Sequence, residues 1–270
     1  MFKHIICDLD GTLLTSSKTI DYATTLKLLE LKRKGFKLTL CSGRHYYDMV
    51  SYIRELKLND SDYVICCDGQ YICKATGETI VNFPFLTKVD LTSIIKLTKC
   101  NILDFYTDKL DYKYISSNLK RIIYRMKLML KKLIFVQNFK NHIVSECYIS
   151  HNNIENIEKI VIYKKTNKDN FFFLENNYTV HKSSSNPNYL EITHKFVNKY
   201  NAIKVLKNIL DLNLNETLYF GDDYNDYECF NNLKFTVTMR NAPKAIKDKA
   251  FYITSENDNQ GVLNALNALL

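Results

Sequence analysis

The sequence predicts an α/β fold: a parallel sheet assembled from both ends of the chain, with a differently built α+β segment between them. Three observations carry this. Short apolar runs alternate with helical patterns up to about residue 81, and the same alternation returns after about residue 189. Between them, residues 82–188 lose that rhythm and carry polar breaks such as Lys165 to Asn170 and Ser183 to Asn188. Strands alternating with helices form βαβ units, whose helices cover the faces of a parallel sheet. The organisation expected is therefore a core from residues 1–81 and 189–270, with 82–188 inserted as a separate domain.

Each element has a local reason. Lys3 to Cys7 is a short apolar strand. Ile20 to Lys34 has helical spacing, with Leu26, Leu29 and Leu31 among its apolar positions, and Gly35 is placed to end it. Phe36 to Cys41 reads as the second strand. Tyr46 to Leu56 reads as a helix with Tyr46, Met49, Val50, Ile53 and Leu56 on one face, and Tyr63 to Cys67 as a third strand. In the closing part, Asn201 to Leu210 is helical, followed by strands at Thr217–Phe220, Phe235–Met239 and Ala250–Thr254 and a helix at Val262–Leu270.

Composition bounds the class. The chain has 270 residues, and its hydrophobic share of 46% supplies a buried core. No apolar run approaches the roughly 18 residues that a membrane span needs, and no secretory signal pattern opens the chain, so a cytoplasmic protein is expected. The eight cysteines show no zinc-type spacing and several lie in apolar runs, so they read as reduced thiols filling cores. The net charge of +8 is concentrated: Lys113 to Lys140 holds eight Lys/Arg and no Asp/Glu, on an amphipathic helical pattern that includes Leu119, Ile122, Ile123 and Met126. A solvated helix face, steering of anionic substrates and nucleic-acid binding all fit such a segment. No nucleic-acid recognition motif accompanies it, so no nucleic-acid partner is expected.

The chemistry-bearing residues follow the strands. Asp8 and Asp10 lie just past the carboxyl end of the first strand, the edge where parallel α/β sheets bind ligands. Residues two apart in extended chain point the same way, so both carboxylates can face one ligand. Gly11 allows a sharp turn after them. Ser42-Gly43-Arg44 follows the second strand, where a hydroxyl and free backbone N–H groups suit a phosphate oxygen, although Ser42 also reads as a helix cap. Lys199 stands in a first helical turn after Asn198, a position that calls for an anion. Gly221-Asp222-Asp223-Tyr224-Asn225-Asp226 follows a late strand, placing Asp222 for a metal and Asn225 for phosphate, with Asp226 to orient Lys199. Clustered carboxylates suit a hard cation such as Mg²⁺.

Taken together, Asp8-Leu9-Asp10-Gly11-Thr12, Ser42-Gly43-Arg44, Lys199 and Gly221-Asp222-Asp223 resemble, in order and spacing, the motifs of the haloacid dehalogenase (HAD) superfamily of phosphohydrolases, Cof-type branch. The resemblance implies a Rossmann-like core with an inserted α+β cap that selects the substrate. It implies Asp8 as nucleophile forming an aspartyl-phosphate, and Asp10 as general acid/base with its backbone carbonyl on the metal. It implies Mg²⁺ held by Asp8, Asp10 and Asp222. The Leu9 backbone, Ser42, Gly43, Lys199 and Asn225 would hold the phosphoryl group of a small phosphorylated metabolite. Two features depart from the pattern: Asp68-Gly69 stands where the branch has Asn-Gly, and Phe196 and Tyr200 stand where glycine is common. A phosphotransferase or phosphomutase of the same superfamily and a non-catalytic ligand-binding member are the alternatives. Oligomeric state is not legible.

Overall fold

The computed structural model describes residues 2–124, 126, 142–163, 171–182 and 188–270. Most of the basic segment Lys113–Lys140 therefore lies outside the described residues. The chain forms two units, one of Met1–Phe83 with Val197–Leu270 and one of Pro84–Phe196.

The first half of unit one runs β1 (His4–Cys7), α1 (Tyr22–Arg33), β2 (Lys37–Cys41), α2 (Tyr46–Glu55), β3 (Tyr63–Cys66), β4 (Tyr71–Lys74) and β5 (Thr79–Asn82). Helix α1 starts on Asp21, whose side chain accepts from the Thr24 N–H, and it buries Thr24, Thr25, Leu28 and Leu31. Leu26, one of the apolar positions of the helical pattern, points to solvent. Gly35 follows the helix with φ +90°, the left-handed conformation that ends it. β3 stops one residue short of expectation because Cys67 and Asp68 turn to φ 51° and 56°. The β4–β5 hairpin was not anticipated; its short antiparallel strands carry no strong alternation, and a turn closes through the Gly77 N–H to the Lys74 carbonyl.

The second unit contains α3 (Lys88–Thr98), β6 (Ile102–Thr107), β7 (Asp111–Ile115), β8 (His142–Val144), α4 (Glu146–His151), β9 (Ile157–Tyr163), β10 (Tyr178–Lys182) and β11 (Tyr189–His194). Its sheet runs β10-β11-β9-β6-β7-β8, antiparallel apart from the β7–β8 pair. Leu103, Phe105, Ile160, Ile162 and Ile192 pack its core with Leu91 and Ile94 of α3. Residues 189–196, grouped by sequence with the closing half, lie in this unit because β11 pairs with both β9 and β10. Leu119, Ile122 and Ile123 are exposed.

Unit one closes with α5 (Lys199–Leu210), β12 (Thr217–Gly221), α6 (Tyr227–Asn232), β13 (Thr236–Thr238), α7 (Lys244–Lys247), β14 (Tyr252–Ile253) and α8 (Gly261–Leu269). The completed sheet runs β14-β13-β12-β1-β2-β3-β4-β5. It is parallel from β14 to β3, and β4 and β5 add antiparallel. β1 sits at its centre, in register with Thr217–Phe220 on one side and Lys37–Leu40 on the other. One side of the sheet packs on Leu28, Leu31, Met49 and Ile53, the other on Ala202, Ile203, Leu206 and Phe230. The chain leaves β1 towards β2 and β3 and returns on the opposite side at β12. That reversal is a topological switch point, and it opens a crevice at the carboxyl ends of the strands.

Candidate active site

Four loops converge on that crevice, each following a strand: Asp8 after β1, Ser42 after β2, Asp68 after β3 and Asp222 after β12. Lys199 enters from the first turn of α5, with Asn198 capping the helix by accepting from the Asn201 N–H at 2.8 Å. It is the most deeply buried cation of the site, at 0% exposure. Its Nζ donates to Asp8 Oδ1 and to Asp226 Oδ1, each at 2.6 Å. Burial alone would lower its pKa, but the carboxylates of Asp226 and Asp8 outweigh that and hold it well above the ordinary lysine range. The ammonium is thus a fixed positive charge.

Asp226 acts as a junction. It accepts from Lys199, from the Tyr219 hydroxyl at 2.6 Å and from the backbone N–H groups of Asp222 and Asp223 at 2.8 and 3.1 Å. With both oxygens engaged, it orients the loop and the lysine. Asp222 Oδ1 accepts from Thr12 Oγ1 at 2.7 Å. Gly11 has φ +82°, and a Cβ there would stand 2.9 Å from the Asp222 carboxyl carbon. Only glycine meets both conditions.

Ligand oxygens of Asp8, Asp222 and Asp226 lie within 4.8 Å of one another. Burial, then repulsion from Asp226, raises the Asp222 carboxyl to about 7 against the Thr12 hydrogen bond. Asp8 is also pushed up, by burial first and by the charges of Asp226 and Asp222, with Lys199 pulling the other way. Three carboxylates crowded around a single ammonium are a donor set that a hard cation relieves. Asp8 and Asp222 therefore fit Mg²⁺, while the engaged oxygens of Asp226 fit a supporting place.

The Asp10 side chain is held differently. Arg44 grips it with both arms, Nε to Oδ2 at 2.6 Å and Nη2 to Oδ1 at 2.7 Å, and Lys18 Nζ adds a third contact at 2.7 Å. The Arg44 hydrogen bonds, with Lys18 behind them and burial opposing, lower its carboxyl to about 2. Ser42 is buried and does not cap α2, whose first turn follows His45; its Oγ accepts from the Arg44 N–H at 3.2 Å. Asp68, buried on the neighbouring loop, accepts from Asn225 Nδ2 at 2.8 Å. It also lies against Gly43, where a Cβ would stand 2.9 Å from Asp68 Oδ1. Leu9 is fully buried between the two acids.

The convergence thus includes all of the residues singled out from sequence: Asp8, Leu9, Asp10, Ser42, Gly43, Lys199, Asp222, Asn225 and Asp226. It adds Thr12, Arg44, Lys18 and Tyr219, which sequence reasoning passed over. Thr12 and Arg44 lie inside motifs already noticed. Lys18 and Tyr219 carry no local signal, because their partners are set by chain folding.

A parallel sheet with an acid-rich crevice at its switch point and an inserted α+β unit defines a class of hydrolase. The family model described as haloacid dehalogenase-like hydrolase matches residues 5–266. The chain belongs to that family and is an enzyme of its phosphatase branch. A Buchnera aphidicola (subsp. Schizaphis graminum) protein named "Putative phosphatase" is 30% identical over 99% of this chain and 95% of its own length. The HMP-PP phosphatase of Yersinia pseudotuberculosis is 26% identical over 98% of this chain and 94% of its own. Among solved structures, a haloacid dehalogenase-like hydrolase from B. subtilis superposes with a TM-score of 0.77 at 21% identity, covering 100% of both chains. The HAD subclass IIB sugar phosphatase BT4131 superposes with a TM-score of 0.76 at 21% identity, covering 98% of each chain. No helix among the described residues is long and apolar enough to cross a membrane.

Proposed function

We propose that this enzyme hydrolyses a small phosphorylated metabolite, a sugar phosphate or similar, through an aspartyl-phosphate on Asp8. The observation that carries the proposal is the buried chain Asp8–Lys199–Asp226 beside Asp222 at the sheet's switch point. Lys199 takes Asp8 Oδ1, which leaves Oδ2 to attack phosphorus. The same ammonium, with the Leu9 backbone, Ser42, Gly43 and Asn225, holds the phosphoryl oxygens as charge spreads over them. Mg²⁺, held by the Asp8 and Asp222 carboxylates and the Asp10 backbone carbonyl, supplies a Lewis acid for those oxygens when bound.

Asp10 protonates the leaving group in the first half-reaction and takes a proton from water in the second. A carboxyl held near 2 is a poor donor at neutral pH. Proton delivery therefore requires Asp10 to leave the grip of Arg44 and Lys18. The inserted unit, Pro84–Phe196, selects the substrate. Similarity to proteins named HMP-PP phosphatase and sugar phosphatase supports a small phosphorylated substrate.

The test is phosphate release from a panel of phosphorylated metabolites with Mg²⁺, wild type against Asp8→Asn. Release by the wild type alone is expected. Turnover by a clean Asp8→Asn preparation would overturn the mechanism.

A further inference from the structure

Beside the carboxylate cluster, on the same sheet edge, lies a second pair of chemically competent side chains. Cys67 Sγ sits 3.1 Å from His45 Nδ1. The contact joins two loops: His45 follows the Ser42-Gly43-Arg44 turn after β2, and Cys67 opens the turn after β3. Backbone holds them together, with the Cys67 N–H donating to the Arg44 carbonyl at 2.9 Å. The left-handed φ of 51° at Cys67, unusual for a residue with a side chain, fixes its position. Six of the eight thiols are buried, whereas Cys67 is partly exposed and Cys147 exposed. Asp68, the partner of Asn225, is the next residue along the chain.

We propose that Cys67, with His45 as its base, is a modification site: a nucleophilic thiol that electrophiles and peroxides reach, and whose oxidation lowers turnover at the adjacent carboxylate cluster. An imidazole in hydrogen-bond contact takes the thiol proton and leaves the thiolate, the nucleophilic form. With hydrogen peroxide the balance is simple. His45 Nδ1 receives the thiol proton, and the Cys67 sulfur attacks one peroxide oxygen. The S–O bond forms as the O–O bond breaks. Sulfur loses two electrons to become sulfenic acid, and the departing hydroxide recovers the proton from the imidazolium to leave as water. The new S–OH group then stands one residue from Asp68, where it shifts the turn that holds Asn225.

The effect on turnover rests on the proposed phosphatase chemistry, but the modification itself does not, so the experiment reads them separately. Intact protein is treated with limiting iodoacetamide, or with hydrogen peroxide followed by a sulfenic-acid trap, and each cysteine is quantified by peptide mass spectrometry. Cys147 is the internal control, being more exposed and 3.6 Å from His151 Nδ1. Cys67 is expected to label faster than Cys147, and His45→Gln to slow Cys67 about tenfold while leaving Cys147 unchanged. His45 makes no side-chain capping bond to α2, so the substitution spares the helix start. Labelling of Cys147 first, with no effect of His45→Gln, would overturn the activated thiol. Peroxide is expected to lower phosphate release by the wild type, and Cys67→Ser to retain turnover and resist peroxide. Equal peroxide sensitivity in Cys67→Ser would overturn the link to turnover.

Discussion

Lys199 and Asp8, 191 residues apart in sequence, meet through a 2.6 Å hydrogen bond in a fully buried setting. The contact closes the core across the inserted unit's sequence and places a fixed positive charge on the oxygen next to the proposed nucleophile. Removing one member of a buried ion pair leaves the other uncompensated, at a cost of about 3–5 kcal/mol. Lys199→Met is therefore expected to lower the denaturation midpoint markedly as well as abolish phosphate release. Asp8→Asn, nearly isosteric, is expected to abolish release with a smaller stability change, because Asp226 still pairs with the Lys199 ammonium. Urea titrations of both variants check this.

Arg44 sets the ionisation of Asp10. Its two hydrogen bonds are the main reason that carboxyl lies near 2. In Arg44→Ala the carboxyl moves up towards the ordinary aspartate value. Because Asp10 must carry a proton in the first half-reaction, the basic limb of the kcat/KM profile is then expected to move to higher pH, with a lower plateau because Asp10 is less well oriented. An unchanged basic limb would show that Asp10 titration does not govern it.

Metal binding is expected to stabilise the fold. The upward displacement of Asp8 and Asp222 reflects burial first and carboxylate repulsion second, and a dication offsets both by stabilising the charged forms. Millimolar Mg²⁺ should raise Tm; by linkage the stabilisation is about 2.7 kcal/mol at a hundredfold excess over Kd. Chelator should abolish phosphate release while circular dichroism stays that of the folded protein. Gly11→Ala should weaken Mg²⁺ binding, because its Cβ meets Asp222 and its φ of +82° strains any other residue. Calorimetric titration with Mg²⁺ measures this.

His4 makes stability pH-dependent. It is buried in β1, with Nε2 in contact with Thr39 Oγ1 at 2.9 Å. Burial, assisted by the Lys37 charge, lowers its pKa from 6.5 to about 3. The unfolded chain therefore binds a proton that the folded chain refuses. Stability is complete above pH 6.5 and falls as pH drops towards 3, by several kcal/mol on the order-of-magnitude scale of about 1.4 kcal/mol per unit. Asp222 works in the opposite sense without metal. Its raised pKa contributes stability that is complete below the unfolded value near 3.8 and lost as pH rises through about 7. Comparing wild type with His4→Gln in denaturant titrations at pH 7 and 4.5, with Mg²⁺ present, isolates the His4 share. The variant should lose less stability between the two.

Much of the fold was legible because its signals are local. The apolar runs of β1, β2 and β12 are buried on both faces of a central sheet, so periodicity and composition reveal them directly. Lys199 was visible as a cation in a helix's first turn, a place that calls for an anion. The β4–β5 hairpin was not legible, since its outer strand is largely exposed and lacks an apolar stripe.

By itself, the sequence determined the class of fold, the motifs after each strand and the chemical identity of the groups that converge. Only the tertiary structure decided which oxygen faces which partner. Asp10 turns to Arg44 and Lys18, Asn225 binds Asp68 across 157 residues, and Thr12 holds Asp222 across 210. It also put β11 in the second unit's sheet and Cys67 against His45. The physical reason is common to all of these. Hydrogen bonds and charge pairs form between whatever groups the packed backbone brings within about 3 Å. Local periodicity encodes only which side of an element is apolar.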